Sequence, residues 1–295
     1  MNSLSSEYLV YLKLLRPWQW AKNLLILAPL ILSSSLNLEK LYYSSNLFLL
    51  FSLFVSGNYI LNDLSDIDLD KNHPEKKYRP IASGKISTSL AKKISVFLFL
   101  FSAAGTYLYY DINILYLYFV YLGLALLYTK SLKFINFLDS IAISLLFLIR
   151  IAIGGMAANV NITIYLNIFI FLMSMFIVYL KKNSILNKQQ LDKNIFHTIL
   201  QNQDEKFSFH NILIFLGFSA NISLLLWGVN LIKIISLNEI ITLVSLILIF
   251  IFITYRLIQN SKNAELEDFV FGIFKDKILL LSLLVMLTLF IYFYF

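Results

Sequence analysis

The 295-residue chain contains no cysteine, only four prolines and nine glycines, and charged residues make up just 14% of it. Without cysteine there is no disulfide framework, thiol nucleophile or thiolate metal site to consider. With so little proline and glycine there is no linker rich in either, and no low-complexity tract or internal repeat stands out. One polytopic domain over residues 1–295 is therefore the simplest organisation. Soluble domains carry roughly 25% charged residues, so the shortage of charge excludes an ordinary soluble protein. The opening MNSLSSEYLVYLKLLRPWQW lacks a basic n-region followed by an apolar h-region and a small-residue cleavage site, and no cleavable signal is expected.

What is present is apolar. Hydrophobic residues reach 59%, with 26 Phe and 18 Tyr, and the mean hydropathy is +0.76. A bilayer is crossed by about 20 apolar residues in a helix. Candidate spans fall at roughly 20–36, 42–62, 92–110, 113–129, 138–158, 162–180, 208–231, 236–256 and 277–295. The expected fold is thus an all-α integral membrane protein of about nine transmembrane helices. The net charge of +7 does not point to nucleic acid once the charges are placed. All of the 24 Lys and Arg except Lys40, Lys233 and Arg150 belong to one alternating set of connections. By the positive-inside rule that set is cytoplasmic, with the N-terminus inside and the C-terminus outside. The cytoplasmic connections, about 63–91, 130–137, 181–207 and 257–276, are long. Those on the other side shrink to short runs such as DIN at 111–113. This asymmetry suits an enzyme that meets a cytosolic substrate at the plasma (inner) membrane.

The stretch NDLSDIDLDKNHPEKKYRP, residues 62–80, concentrates the chemistry. On a continuous helix Asp63, Asp66 and Asp70 lie within about 60° of arc, Asn62 widens it to about 100°, and Asp68 points away. Three carboxylates on one stripe repel one another unless positive charge lies between them. Hard divalent cations take oxygen ligands, and Mg²⁺ combines one or two carboxylates with substrate phosphates. Asp63, Asp66 and Asp70 are accordingly the candidate metal ligands, with Asn62 orienting the site. The competing reading is a solvated acidic helix end paired with Lys71, Lys76 and Lys77. Beyond it, Lys76, Lys77, Arg79 and Lys85 lie on a loop stiffened by Pro74 and Pro80, as a phosphate-binding loop requires. His73 is expected to cap that loop rather than bind metal.

A second polar group spans 128–155. Asp139 and Arg150 share a helix face to about 20° but stand about 16 Å apart along the axis. Each must find another polar partner. For Arg150 that is a phosphate, or else a structural carbonyl or acid. Tyr128 and Lys133 lie at the adjoining turn. A third group, YLKKNSIL at 179–186, supplies Lys181 and Lys182.

The segment NDLSDIDLD resembles the N-D-x-x-D-x-x-x-D signature of the UbiA-type intramembrane prenyltransferases, whose fold is a nine-helix bundle. The run His73, Pro74, Lys77, Arg79, Pro80, Ile81, Ala82, Gly84 and the opening Arg16, Pro17, Gln19, Trp20, Lys22, Asn23 are similar to one branch, the decaprenyl-phosphate phosphoribosyltransferases. So is the set Tyr128, Leu132, Lys133, Asp139 and Arg150. Lys181 and Lys182 resemble that branch's K-R-x-x-E-L segment, with Ile185 where it has an acid. FGIFKDKILL near 271–280 resembles a late K-D-R-x-L segment. The D-x-x-x-D motif that prenyl-diphosphate users carry on a later helix is half present, since Asp139 is followed by Ile143.

The resemblance implies transfer of 5-phosphoribosyl from 5-phosphoribosyl 1-diphosphate to a polyprenyl phosphate, with Mg²⁺ or Mn²⁺, feeding cell-envelope glycan synthesis. Asp63, Asp66, Asp70 and Asn62 would carry the chemistry. Lys22, Lys77, Arg79, Tyr128, Lys133, Asp139, Arg150, Lys181 and Lys182 would bind substrate. The runner-up is prenyl transfer from a prenyl diphosphate to a small acceptor. A transporter is disfavoured, because the charge lies at one membrane rim rather than at the midplane.

Overall fold

The structure, a computed structural model, describes residues 3–33, 36–135, 137–191, 203–231, 237–263 and 269–294. Every element in them is helical. The order is α1 (Ser3–Leu15), a 3-10 segment (Pro17–Ile26), α2 (Ala28–Ile31), α3 (Leu38–Ser65), α4 (Ile67–Lys71), a 3-10 turn (Lys76–Tyr78), α5 (Thr88–Tyr109) and α6 (Ile112–Lys130). Then follow a 3-10 turn (Leu132–Phe134), α7 (Leu138–Ala158), α8 (Ile164–Leu191), α9 (Gln203–Leu231), α10 (Leu237–Lys262), α11 (Phe269–Lys275) and α12 (Lys277–Tyr294). Among the described residues seven helices, α3 and α5 to α10, are long and apolar enough to cross a membrane, and α12 is apolar but shorter over Lys277–Tyr292. Parts of the connections expected at 181–207 and 257–276, and Lys233, lie outside the described residues.

The span expected at 20–36 is corrected. Residues 20–26 belong to a 3-10 segment and 28–31 to the four-residue α2, so the described residues of this stretch form no membrane-length helix. Arg16 adopts a left-handed conformation (φ 54°, ψ 54°), which ends α1, and Pro17 restarts the chain in a tighter turn. Pro29 then sits in the first turn of α2, which opens at Ala28. The membrane helices themselves start where short polar side chains satisfy free amides. Asn37 accepts from the amide of Lys40 (2.8 Å), Ser87 from Leu90 (3.3 Å) and Asp111 from Asn113 (2.7 Å). Asn159, left-handed at φ 52°, closes α7.

The chain divides into two compact units: residues 1–142 with 149–161, and 143–148 with 162–295. In the first, α3 is the axis. Its Phe51 and Phe54 pack edge-on or tilted against Tyr118, Tyr121 and Phe99. Ser95 of α5 donates to the Gly57 carbonyl at 2.9 Å, an approach permitted by the missing side chain at 57. The 3-10 segment lies so close to α7 that a Cβ at Gly154 would collide with the backbone of Ile26.

In the second unit, neutral polar groups join the helices, as expected where lipid offers no hydrogen bonds. Asn183 of α8 donates to Ser261 Oγ of α10 (3.0 Å), and Asn221 of α9 donates to Thr254 Oγ1 (3.2 Å). Asp276, in the segment left without a role, starts α12. Its Oδ1 accepts from the amides of Ile278 and Leu279, both 3.1 Å, and its Oδ2 accepts from Arg256 Nε (2.7 Å) and Asn260 Nδ2 (2.8 Å). The Arg256 hydrogen bond, foremost, holds this carboxyl far below the usual carboxylate range, against the opposing effect of its burial.

Two outcomes are expected in thermal melts of the purified protein. Gly154→Ala will destabilise it by about 1–3 kcal/mol, since a backbone carbonyl cannot rotate away from the added methyl. Asp276→Ala will cost about 1–2 kcal/mol, the usual loss for a helix cap. A carboxyl with a depressed folded pKa stabilises above its unfolded value, near 4, and that contribution is lost as pH falls through the folded pKa. The gap between wild type and Asp276→Ala will therefore be full at pH 7 and shrink as the pH drops below about 4.

Candidate active site

At its polar end α3 does not run on as one helix. It stops at Ser65, the backbone bends at Asp66 (φ −100°, ψ 11°), and α4 resumes at Ile67. The α-type hydrogen bonds survive the bend, Asp66 N to the Asn62 carbonyl at 3.0 Å and Asp70 N to the Asp66 carbonyl at 2.8 Å. The acidic stripe keeps its register for that reason. Asp63 and Asp70 are buried, 2% and 3% exposed, and Asp66 is half-buried. Asp68 turns outward, 91% exposed, and pairs with Lys71 at 3.5 Å.

Each inward carboxylate faces a cation. Arg16 Nη2 reaches both oxygens of Asp63, at 2.5 and 2.6 Å. Arg79 Nη1 bridges Asp63 Oδ1 at 3.0 Å and Asp70 Oδ2 at 2.6 Å. Lys133 Nζ holds Asp66 Oδ1 at 2.9 Å and Oδ2 at 3.2 Å. The partners foreseen for a plain solvated helix end were Lys71, Lys76 and Lys77. Only Lys71 takes a carboxylate of this stretch, and it takes the outward Asp68.

The cations are placed by identifiable local devices. A left-handed backbone at a non-glycine residue costs on the order of 1 kcal/mol. At Arg16 a latch to α3 holds it: Trp20 Nε1 donates to Ser56 Oγ at 2.9 Å, and that hydroxyl lies 2.7 Å from the Leu15 carbonyl. His73 caps its loop as expected, its Nδ1 accepting from the amides of Glu75 (3.2 Å) and Lys76 (3.3 Å). Arg79 is extended (φ −61°, ψ 146°), the conformation favoured before proline. Behind it Ile81 and Ile86 are buried in one apolar cluster with Leu14 and Ile60. Gly84 supplies the positive φ of 73° that turns the loop back. Lys133 rides the 3-10 turn Leu132–Phe134.

The remaining expected residues are distributed as follows. Asn62 is half-buried and its carbonyl receives the Asp66 amide. Lys77 is exposed, its Nζ 5.2 Å from the Tyr78 ring centre, and does not join the carboxylates. Lys22 is exposed on the 3-10 segment, and Tyr128 is half-buried near the end of α6. Asp139 is buried at the start of α7, where its Oδ1 accepts from the Ser140 amide (2.7 Å) and hydroxyl (3.1 Å). Arg150 is buried: Nε donates to Asn23 Oδ1 and Nη2 to Tyr121 Oη, both at 2.8 Å, with the Tyr121 and Phe51 rings 5.0 and 5.9 Å away. In the second unit Lys181 is exposed, and the Lys182 Nζ lies 5.3 Å over the Tyr179 ring. Sequence reasoning left Arg16, Asn23 and Tyr121 off the candidate residues. For Arg16 the signal was there, a cation directly before a proline at the head of the Arg16–Asn23 motif.

Among the described residues no group of three or more His, Asp or Glu side chains surrounds a common metal position. The reason is the cations between them. The donor set nonetheless fits a hard ion: Asp63 Oδ1 and Asp70 Oδ2 converge on a single guanidinium nitrogen, and all three inward groups are carboxylate oxygens.

Comparison with known proteins gives this arrangement a lineage. Residues 25–283 match the UbiA prenyltransferase family. The decaprenyl-phosphate phosphoribosyltransferase of Mycobacterium tuberculosis is 36% identical over 156 residues, 51% of this chain and 51% of that protein. The chain thus spans about half the length of the curated relatives it matches. A digeranylgeranylglyceryl phosphate synthase structure superposes with a TM-score of 0.67 at 20% identity, covering 97% of this chain and 98% of its own. A UbiA homolog from Archaeoglobus fulgidus bound to DMAPP and Mg²⁺ gives 0.63 at 16% identity, covering 83% and 85%. The family match over most of the length, the all-helical fold and the acidic stripe agree, and the chain belongs to the UbiA prenyltransferase family as a multi-pass membrane protein.

Proposed function

We propose that this chain transfers a 5-phosphoribosyl group from 5-phosphoribosyl 1-diphosphate to a polyprenyl phosphate and releases diphosphate. The reaction would take place at the cytoplasmic face of the plasma membrane and feed cell-envelope glycan synthesis. The observation that carries the reading is the cluster of Asp63, Asp66 and Asp70 ringed by Arg16, Arg79 and Lys133. It combines hard oxygen donors with phosphate-binding cations at the end of a membrane helix. The phosphoribosyltransferase relatives support the choice of donor, and so does Ile143, where a second metal-binding acid is missing.

The chemistry asks for charge management rather than proton transfer. Breaking the C1–O bond leaves negative charge on the departing diphosphate and positive charge on the ribose. A divalent cation, when bound by the three carboxylates, supplies Lewis-acid stabilisation of that leaving group. Arg79 and Lys133 bind phosphate oxygens and fix their direction, Arg79 through its two-pronged fork. Lys22 and Lys77, exposed at the same unit's surface, attract the anionic donor. The acceptor phosphate is already an anion, so no general base is needed, in keeping with a chain of only three histidines. Lys181 and Lys182 are assigned to acceptor or ribose phosphate on the resemblance alone.

A second reading, prenyl transfer to a small acceptor, is favoured by the A. fulgidus homolog, which holds DMAPP and Mg²⁺ in the same fold. One assay separates the two. Purified protein with Mg²⁺, labelled phosphoribosyl diphosphate and polyprenyl phosphate will place label in the lipid fraction. EDTA will abolish that product, and Asp66→Ala will lower its rate on the order of a hundredfold or more, whereas the outward Asp68→Ala will leave it within a few-fold. Consumption of a prenyl diphosphate with no phosphoribosyl transfer would establish the second reading instead.

A further inference from the structure

Between α10 and the start of α12 a cavity of about 410 Å³ is lined by Arg256, Lys275, Asp276, Lys277 and Ile278. Three cationic side chains against one carboxylate give that lining a surplus of two positive charges. The carboxylate is committed to the fold. It accepts from the amides of Ile278 and Leu279, from Arg256 and from Asn260, and its side chain is only 7% exposed. It also fixes Arg256 by one edge, Nε at 2.7 Å and Nη2 at 3.2 Å. The guanidinium is thereby held in one orientation while its side chain stays 36% exposed. Lys275 and Lys277 stand exposed on either side of Asp276 in the chain. Because the amides of Ile278 and Leu279 are spent on Asp276, the attraction for an anion comes from side chains and not from the helix end.

We propose that Arg256, Lys275 and Lys277 seat the phosphate of an anionic phospholipid whose chains lie along α10 and α12. The fixed guanidinium offers directed hydrogen bonds to phosphate oxygens, and the two lysines are flexible point charges. The surroundings favour a lipid over a free phosphate. α10 is long and apolar enough to cross a membrane, α12 is apolar over Lys277–Tyr292, and the two pack together. The cavity therefore lies at the boundary between hydrocarbon and water, where headgroup phosphates are concentrated. Away from it both helices expose apolar side chains, Phe252 and Tyr255 on α10 and Leu281 and Leu284 on α12. Acyl chains cover such a surface, and basic pockets between membrane helices hold anionic headgroups by this combination. A lipid seated there braces α10 against α12 at the point where Asp276 already joins them.

The test titrates the full chain, in neutral detergent micelles, with phosphatidylglycerol, with phosphatidylcholine or with inorganic phosphate. Bound lipid is counted by native mass spectrometry, and the melting temperature is followed in parallel. Phosphatidylglycerol is expected to bind on the order of tenfold more tightly than phosphatidylcholine and to raise the melting temperature further. Exchanging both lysines, Lys275→Gln with Lys277→Gln, leaves Asp276 and Arg256 in place and will abolish most of that preference. The same exchange at Lys92 and Lys93, exposed lysines near the start of α5, will leave it within roughly twofold. If the double variant folds poorly, the single reversal Lys277→Glu removes the same amount of positive charge and serves instead. Equal affinity for the two lipids overturns the proposal, as does a preference that survives loss of Lys275 and Lys277. A preference lost equally at both lysine pairs would mean a diffuse basic surface and no seat at this cavity. A shift from inorganic phosphate as large as that from phosphatidylglycerol would also overturn it, leaving a site for soluble phosphate.

Discussion

Asp63 is the group on which the first unit turns. It ends a helix made to cross hydrocarbon, it is almost fully buried, and an uncompensated charge there would cost several kcal/mol. Two arginines compensate it, and they arrive from opposite directions along the chain, Arg16 from the turn before the 3-10 segment and Arg79 from the loop after α4. One carboxylate therefore ties two otherwise separate stretches to α3. Features that look incidental follow from this. Ser56 holds the strained turn beneath Arg16, His73 caps the turn before Arg79, and Pro80, Ile81 and Ile86 seat the loop behind it.

Arg150 meets the same constraint in another way. Deeper in the bundle it is received by an amide oxygen, a phenol and two ring faces. Asn23 is in turn steadied by Ser52, to which it donates at 3.1 Å. This contact depends on the 3-10 segment lying close against α7, and the close approach depends on Gly154. A regular membrane helix at 20–36 would have spread its side chains around a cylinder. The 3-10 segment instead buries Asn23 while leaving Lys22 exposed.

What the sequence made legible was whatever depends on period and composition. Seven of the expected spans, the outward Asp68 and the capping role of His73 need only hydropathy, a 3.6-residue repeat and the hydrogen-bonding habits of a turn. The rest depends on backbone departures that composition does not encode. Residues 20–36 are apolar enough to read as a span, but the left-handed Arg16 and Pro17 just before them set a 3-10 course, and Pro29 interrupts them. The helix carrying the aspartates bends at Asp66, which helical phase alone does not reveal, although the surviving hydrogen bonds preserve the stripe. Arg16 was visible in its motif yet left unassigned, because its partner lies far along the chain and only tertiary structure brings them together. Arg150 was seen to need a partner, and Asn23 and Tyr121 could not be chosen among many polar residues without the packing.

The distribution of acid in the first unit bears on which substrate the cluster suits. Asp139, on α7, turns to the amide and hydroxyl of Ser140 at the start of its own helix, and Ile143 offers no oxygen four residues later. At the end of α3 the inward carboxylates are Asp63, Asp66 and Asp70, each held by a cation. Two acidic clusters would bring surplus negative charge to hold metal before any substrate came. One balanced cluster has no such surplus, so the added negative charge must come with the substrate. Phosphoribosyl diphosphate brings it at both ends, a diphosphate at C1 and a phosphate at C5, whereas a prenyl diphosphate brings it at one end and hydrocarbon at the other. The missing second motif and the charge balance that follows from it are thus one line of argument for the donor proposed above.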